Sequence, residues 1–249
     1  MASEKTLSNV KQHDKLNSML YWYPKIAENV PTPKTLFIDV DQVKIFEAMD
    51  GKPDKEYIAR VIQGVKNAVK LVGGPPAFLR TDQCAGKHEW DNTCYVIDLE
   101  HVVGNICGVA EANECAGIMG LRYKAFAVRE FLKLEAPFKA FLGMPIAREF
   151  RFFSQHGEIL CHHPYWPEEA IRFYHNTLEP KDWRERLSEL QKEPDDFETA
   201  RILAQKVTEW SNLAWSVDVC RTENKQWFVT DMALAEDSYH WESCSKKVN

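Results

Sequence analysis

Between Lys55 and Val72 the apolar residues Ile58, Val61, Ile62, Val65, Ala68, Val69 and Val72 recur at three- and four-residue spacing. That period predicts an amphipathic helix. Asp54 stands where an N-cap belongs, and Gly73-Gly74-Pro75-Pro76 stops the run. Residues 1–30 read as helix and loop around Leu16, Leu20, Ile26 and Tyr21-Trp22-Tyr23. Shorter helical patterns run from Leu99 to Cys107, Pro167 to Tyr174 and Asp182 to Gln191. A longer one, Asp196 to Leu213, places Ile202, Leu203, Val207 and Trp210 on one face.

Strand patterns fill much of the remainder. They cover Thr35 to Val40, Ala77 to Arg80, Thr93 to Ile97 and Ala125 to Leu132. Glu149 to Phe153 and Glu158 to Cys161 flank a turn at Gln155-His156-Gly157, and Trp215 to Cys220 returns through Glu223-Asn224-Lys225 as Trp227 to Met232. Tight turns between neighbouring strands make antiparallel hairpins.

The chain has 249 residues, which suits one large domain or two small lobes. With 45% hydrophobic and 27% charged residues it is an ordinary globular composition, so extended disorder and disulfide-knotted miniproteins are excluded. The net charge of −6 argues against a duplex-binding protein, so nucleic acid is not an expected partner. No apolar run is long enough to span a bilayer, and the polar first residues lack a signal-peptide core. The seven cysteines show no framework, so reduced thiols and a cytoplasmic location are expected.

Chemistry concentrates in the last hairpin. Asp218 and Asp231 are acids inside otherwise apolar strands. A buried carboxylate is seldom left without a cation beside it, so the two share Mg²⁺, each pairs with an Arg, or one lies on a solvated face. A strand ending in Arg80, followed by a loop that presents Lys87, suits phosphate oxygens, or is a plain polar hairpin. In Glu149-Phe150-Arg151-Phe152-Phe153, alternation sets Phe150 and Phe152 on one face and Arg151 on the other. Cys161-His162-His163 is a weak zinc candidate, because adjacent residues on a strand point apart. Cys84, His88 and Cys94 form a second loose set without a paired CxxC.

In chain order these pieces resemble the ATP-grasp superfamily. The final hairpin is similar to its "Asp, strand, turn, strand, acid-x-Asn" motif, with Asp218 and Asp231 13 residues apart. Phe78-Leu79-Arg80-Thr81-Asp82 resembles the central-lobe strand ending in a phosphate-contacting base. Ala127-Val128-Arg129-Glu130-Phe131-Leu132 resembles the interlobe hinge, and Glu135 lies where the family has a ribose-binding acid. Glu149 to Phe153 with Gly157-Glu158-Ile159 resembles its "Arg-x-Phe … Gly" hairpin. The look-alikes are divergent Arg-containing viral and microbial branches and, more distantly, the assembly factors of translation initiation.

The resemblance implies an α+β protein of ATP-grasp fold, with two lobes of antiparallel sheet clamping ATP and a short N-terminal α/β segment, with boundaries at 1–72, 73–128 and 129–249. It implies ATP and Mg²⁺ as cofactors and Asp218 and Asp231 as metal ligands. Arg80, Lys87 and Arg151 become catalytic phosphate partners, and Arg129, Glu130, Phe131 and Glu135 join Arg80, Lys87 and Arg151 in holding nucleotide. The implied activity is ligation of a carboxylate to an amine or thiol through an acyl phosphate, on a small-molecule or peptide substrate. An ATP-binding assembly protein with a protein partner is the alternative. The family's Asn falls on Ala233, and its usual Lys on Arg80. Water, Asp82 or Ser238 would take the place of the missing ligand.

Overall fold

A computed structural model describes residues 12–116, 121–173, 179–242 and 244. They divide into two compact units, Pro33–Phe131 and a second made of Met1–Thr32 with Leu132–Asn249. No helix among the described residues is long and apolar enough to cross a membrane.

In the unit Pro33–Phe131 the elements are β1 (Thr35–Asp39), α1 (Gln42–Met49), α2 (Lys55–Leu71), β2 (Ala77–Thr81), β3 (Tyr95–Val96), α3 (Val102–Glu114) and β4 (Ala125–Glu130). The strands form one antiparallel sheet in the order β1-β4-β2-β3. Because β1 pairs with β4, residues 33–72 join 73–131 in a single sheet and do not stand apart as an N-terminal segment. Asp54 Oδ1 caps α2 by accepting the Tyr57 N–H at 3.1 Å. Val61, Val65, Ala68 and Val69 are its buried stripe, as the spacing predicts, and they meet Leu79, Phe126 and Val128 of the sheet.

Three elements of this unit differ from expectation. Helix α1 has no counterpart in the sequence reading; Asp41 Oδ1 caps it through the Val43 N–H at 3.0 Å. Helix α3 starts and ends later than Leu99 to Cys107. Asp98 Oδ1 first accepts the Glu100 and His101 N–H groups, which holds a turn before the helix. Strand β3 keeps only two of five expected residues, and Ile97 is 55% exposed.

In the second unit a helical run over 12–17 leads to Ser18, which caps α4 (Met19–Ile26) through the Leu20 N–H. There follow β5 (Phe138–Ala140), β6 (Met144–Ile146), β7 (Glu149–Gln155), β8 (Glu158–Pro164), α5 (Glu168–Phe173), α6 (Trp183–Leu190), α7 (Phe197–Lys206), β9 (Trp215–Arg221) and β10 (Trp227–Leu234). Tyr174, at the end of one expected helix, lies outside the described residues. Strands β7 to β10 form an antiparallel sheet in the order β10-β9-β7-β8. Helix α7 covers one face: Phe197 meets Phe150 and Phe152 at ring-centroid distances of 4.7 and 5.6 Å.

The buried residues of α7 are Phe197, Ala200 and Ala204, whereas Ile202 is 52% and Trp210 37% exposed. The expected apolar face is therefore kept only in part: Val207 is buried and Leu203 half-buried, while Ala200 and Ala204 take the contact expected of Ile202. Small side chains at helical spacing let the helix approach the sheet, and packing distance outranks residue hydrophobicity. The helix also stops at Lys206, short of Leu213.

Candidate functional site

Strand register assembles a row of polar residues across the second unit's sheet. His163 of β8 is the partner of Arg151 of β7, Arg151 of Asp218 of β9, and Asp218 of Asp231 of β10. Alternation turns this row away from α7, since Phe150, Phe152, Val217 and Val219 occupy the covered face. One departure from alternation makes the row possible. A β-bulge lies between Val229 and Asp231. Trp227 and Val229 before it, and Met232 and Leu234 after it, are all buried. Under strict alternation Asp231 would share the parity of Trp227 and Val229 and enter the core; the extra residue at Thr230 turns it to the other face. The Thr230 hydroxyl donates to the Asp218 carbonyl at 3.2 Å and holds the bulge against β9.

Arg151 grips Asp218 with both prongs, Nε to Oδ1 at 2.7 Å and Nη2 to Oδ2 at 2.9 Å. Both side chains are largely buried, 14% and 5% exposed. Burial works against the guanidinium's charge, but the Asp218 carboxylate outweighs it and holds the proton more tightly than usual. The guanidinium also lies 4.7 Å from the Tyr165 ring centroid, and Nη1 donates to the Tyr239 carbonyl. Asp231, directly across from Asp218, is half-buried, and its Oδ1 accepts the Met232 N–H at 3.1 Å. His163 is 5% exposed, and burial pushes it down to about 4, so it is neutral at pH 7. Its Nδ1–H donates to the Pro164 carbonyl at 2.8 Å.

The other expected nucleotide residues fall in separate clusters. Glu135 is the hub of an ion cluster, 3.4 Å from Arg148 and 3.0 Å from both Arg221 and Lys225. Burial opposes its ionisation, yet these cations hold its carboxyl below the usual range. A cleft of about 430 Å³ opens beside it, lined in part by Arg186 and Leu190. Arg148 donates to the carbonyls of Glu189, Leu190 and Lys192 at the end of α6, which makes it a helix C-cap.

In the unit Pro33–Phe131, Arg80 is buried on β2 and donates to the Thr81 carbonyl, and Lys87 opens a 3-10 helix, Lys87–Asn92. Arg129 Nε donates to Thr35 Oγ1, while Glu130 Oε1 accepts the Lys34 N–H. Phe131 meets Trp90 and Tyr95 at 6.3 and 5.3 Å, and Trp90 stacks on Tyr95 at 5.7 Å. Sequence reasoning missed this aromatic cluster; Trp90 amid a polar loop was its only signal.

Asp82 and Ser238, the substitutes considered for the Asn missing at Ala233, are already engaged. Asp82 Oδ1 accepts the Lys124 and Ala125 N–H groups, and the Ser238 hydroxyl bonds Ser216 and the Leu234 carbonyl. His162 turns to the α7 face, where it stacks on Phe152 and bonds Glu193, so it does not join Cys161 and His163 around one point. Cys84, His88 and Cys94 do not converge either. Among the described residues, the group of three that brings donor atoms within 4.8 Å of one another is Cys161, His240 and Cys244.

Residues 57–238 match a family model described as an ATP-grasp domain, R-2K clade, family 3. No curated protein matches the chain. Among solved structures, C-terminally truncated Cdc123 from Schizosaccharomyces pombe matches 90% of this chain and 86% of its own at TM-score 0.56 and 14% identity. Another Cdc123 structure from that organism matches over the same shares at TM-score 0.55 and 12% identity. N5-carboxyaminoimidazole synthase from Aspergillus clavatus, in complex with ADP and an aminoimidazole ribonucleotide, matches 94% of this chain and 51% of its own at TM-score 0.43 and 10% identity. The Cdc123 likeness is one of fold.

Proposed function

Because the chain belongs to family 3 of this clade of ATP-grasp domains, we propose that it is a Mg-ATP-dependent ligase joining a carboxylate to an amine or thiol. The observation that carries this reading is the pairing of Asp218 with Asp231 on the sheet face turned away from α7. Carboxylate oxygens suit a hard cation, and Mg²⁺ keeps several waters, so two protein carboxylates suffice. Each Asp218 oxygen gives one lone-pair direction to Arg151 and retains another. Asp218 and Asp231 therefore fit as the Mg²⁺ ligands. When bound, the ion lowers the negative charge that an incoming nucleophile meets at the phosphates.

Arg151 positions Asp218 and supplies fixed positive charge on the same face, ready for the transferred phosphoryl group. Arg80 and Lys87 serve as further phosphate partners. Arg129, Glu130 and Phe131 line the nucleotide, with Trp90 and Tyr95 adding flat apolar faces for a purine. Glu135, kept ionised by its cations, accepts from ribose. The substrate carboxylate attacks the γ-phosphorus as ADP leaves, and an amine or thiol then displaces phosphate from the acyl phosphate. Phosphate release from labelled ATP, screened with amino acids and peptides, tests this: acceptor-stimulated release supports a ligase.

A second reading rests on Ala233. With alanine at the family's Asn position, the ligand set is one side chain short, which favours an ATP-binding assembly protein with little turnover. ATP binding without acceptor-stimulated phosphate release supports that reading instead.

A further inference from the structure

Cys161, His240 and Cys244 are used by none of the proposed nucleotide chemistry, yet three separate contacts bring them together. Cys161 lies on β8, where its register partner is Phe153 of β7. The His240 ring packs on that Phe153 at 4.4 Å, which sets its Nε2 3.0 Å from Cys161 Sγ. The Cys244 N–H donates to the Trp241 carbonyl at 3.0 Å, which holds the second thiol near the first. Trp241 is itself fixed, stacked on His163 at 5.3 Å. The three donor atoms then lie within 4.8 Å of one another, with all three residues half-buried.

The imidazole is oriented as a ligand. Its Nδ1 faces the Trp241 carbonyl at 3.1 Å, and a carbonyl only accepts, so the ring proton sits on Nδ1. The Nε2 lone pair is left pointing at the cysteines. A backbone carbonyl fixing the far nitrogen is the usual outer partner of a metal-bound histidine. Two sulfurs and one imidazole are a soft donor set, which suits Zn²⁺ and not Mg²⁺. Tetrahedral bonds of about 2.3 Å to sulfur and about 2.0 Å to nitrogen put the donors roughly 3.6–3.8 Å apart. The observed spacings, from 3.0 Å up to a limit of 4.8 Å, bracket that range, so small side-chain adjustments complete the site.

We propose that Cys161, His240 and Cys244 bind one Zn²⁺, which staples His240 and Cys244 to β8. Binding forms two Zn–S bonds and one Zn–N bond. Each thiol loses its proton to solvent, and a water fills the fourth position. The staple reaches the polar row, since the Tyr239 carbonyl just before His240 accepts from Arg151 Nη1 at 3.3 Å. The proposal does not depend on the ligase reading.

The test uses the full chain, reduced and stripped of metal by a chelator, titrated with Co²⁺ and then Zn²⁺. One Co²⁺ per chain is expected, with thiolate-to-cobalt charge-transfer absorption that Zn²⁺ abolishes. Cys161→Ser, Cys244→Ser and His240→Ala should each weaken Zn²⁺ by at least about tenfold. Cys115→Ser, an exposed thiol outside the cluster, should leave it unchanged. Cys244→Ser keeps the test valid if changes on β8 impair folding, because it alters only the terminal segment. Three results overturn the proposal: no charge-transfer band in the reduced chain, a band that survives Cys161→Ser with Cys244→Ser, or Zn²⁺ affinity unchanged in Cys244→Ser.

Discussion

Arg151 and Asp218 form a bidentate pair across adjacent strands, with N–O distances of 2.7 and 2.9 Å. Removing one member leaves the other charged and largely buried, which costs on the order of 3–5 kcal/mol. Arg151→Ala should therefore destabilise the chain by about that much in denaturant unfolding. Replacing both, as Arg151→Met with Asp218→Leu, should recover most of the loss, because two apolar side chains satisfy each other. A loss under ~1 kcal/mol in Arg151→Ala would mark the pair as solvent-screened.

Two glycines of α3 predict opposite signs. A Cβ on Gly108 would collide with the Asn92 carbonyl oxygen, at the end of the 3-10 helix that carries Lys87. Gly108→Ala should destabilise by roughly 1–3 kcal/mol or more. A Cβ on Gly104 meets nothing within 4 Å, so Gly104→Ala should stabilise by about 0.5–1 kcal/mol through helix propensity. Equal effects in thermal melts of the two variants would contradict the close approach at Asn92.

His163 makes folding sensitive to acid. Burial lowers it from 6.5 to about 4 in the folded chain. Between these values the unfolded chain takes up a proton that the folded chain refuses, so stability falls with pH. The contribution is present above pH 6.5 and lost as pH drops towards 4. His163→Phe, which keeps an aromatic ring against Trp241, should flatten the change in unfolding free energy between pH 7 and 5 by on the order of 1 kcal/mol. An unchanged slope would place the titration elsewhere.

The strand hairpins and the acids within them were legible because tight turns and apolar runs are local signals. The facing of Asp231 was not, since it depends on the bulge at Thr230, and strict alternation assigns that acid to the core. The apolar face predicted for α7 held at Val207 and Leu203 and failed at Ile202 and Trp210 for a related reason. Ala200 and Ala204 win the sheet contact by being small, while Ile202 is left outside. The Glu135 cluster joins Arg148, Arg221 and Lys225 from distant strands and loops, so no spacing announces it. Cys161 and His240 lie 79 residues apart for the same reason. The pairing of β1 with β4, which ties residues 33–72 to the following sheet, is likewise non-local.

The central claim is that Asp231 and Asp218 together hold Mg²⁺ for ATP. Asp231 is half-buried, so Asp231→Asn preserves shape and should change stability by less than about 1 kcal/mol. The direct measurement is Mg²⁺-dependent ATP turnover, followed as phosphate release, in the wild-type chain and in Asp231→Asn at matched stability. The account predicts a fall of at least about a hundredfold in the variant, the scale of one lost electrostatic partner in a transition state. Normal turnover in Asp231→Asn would contradict it.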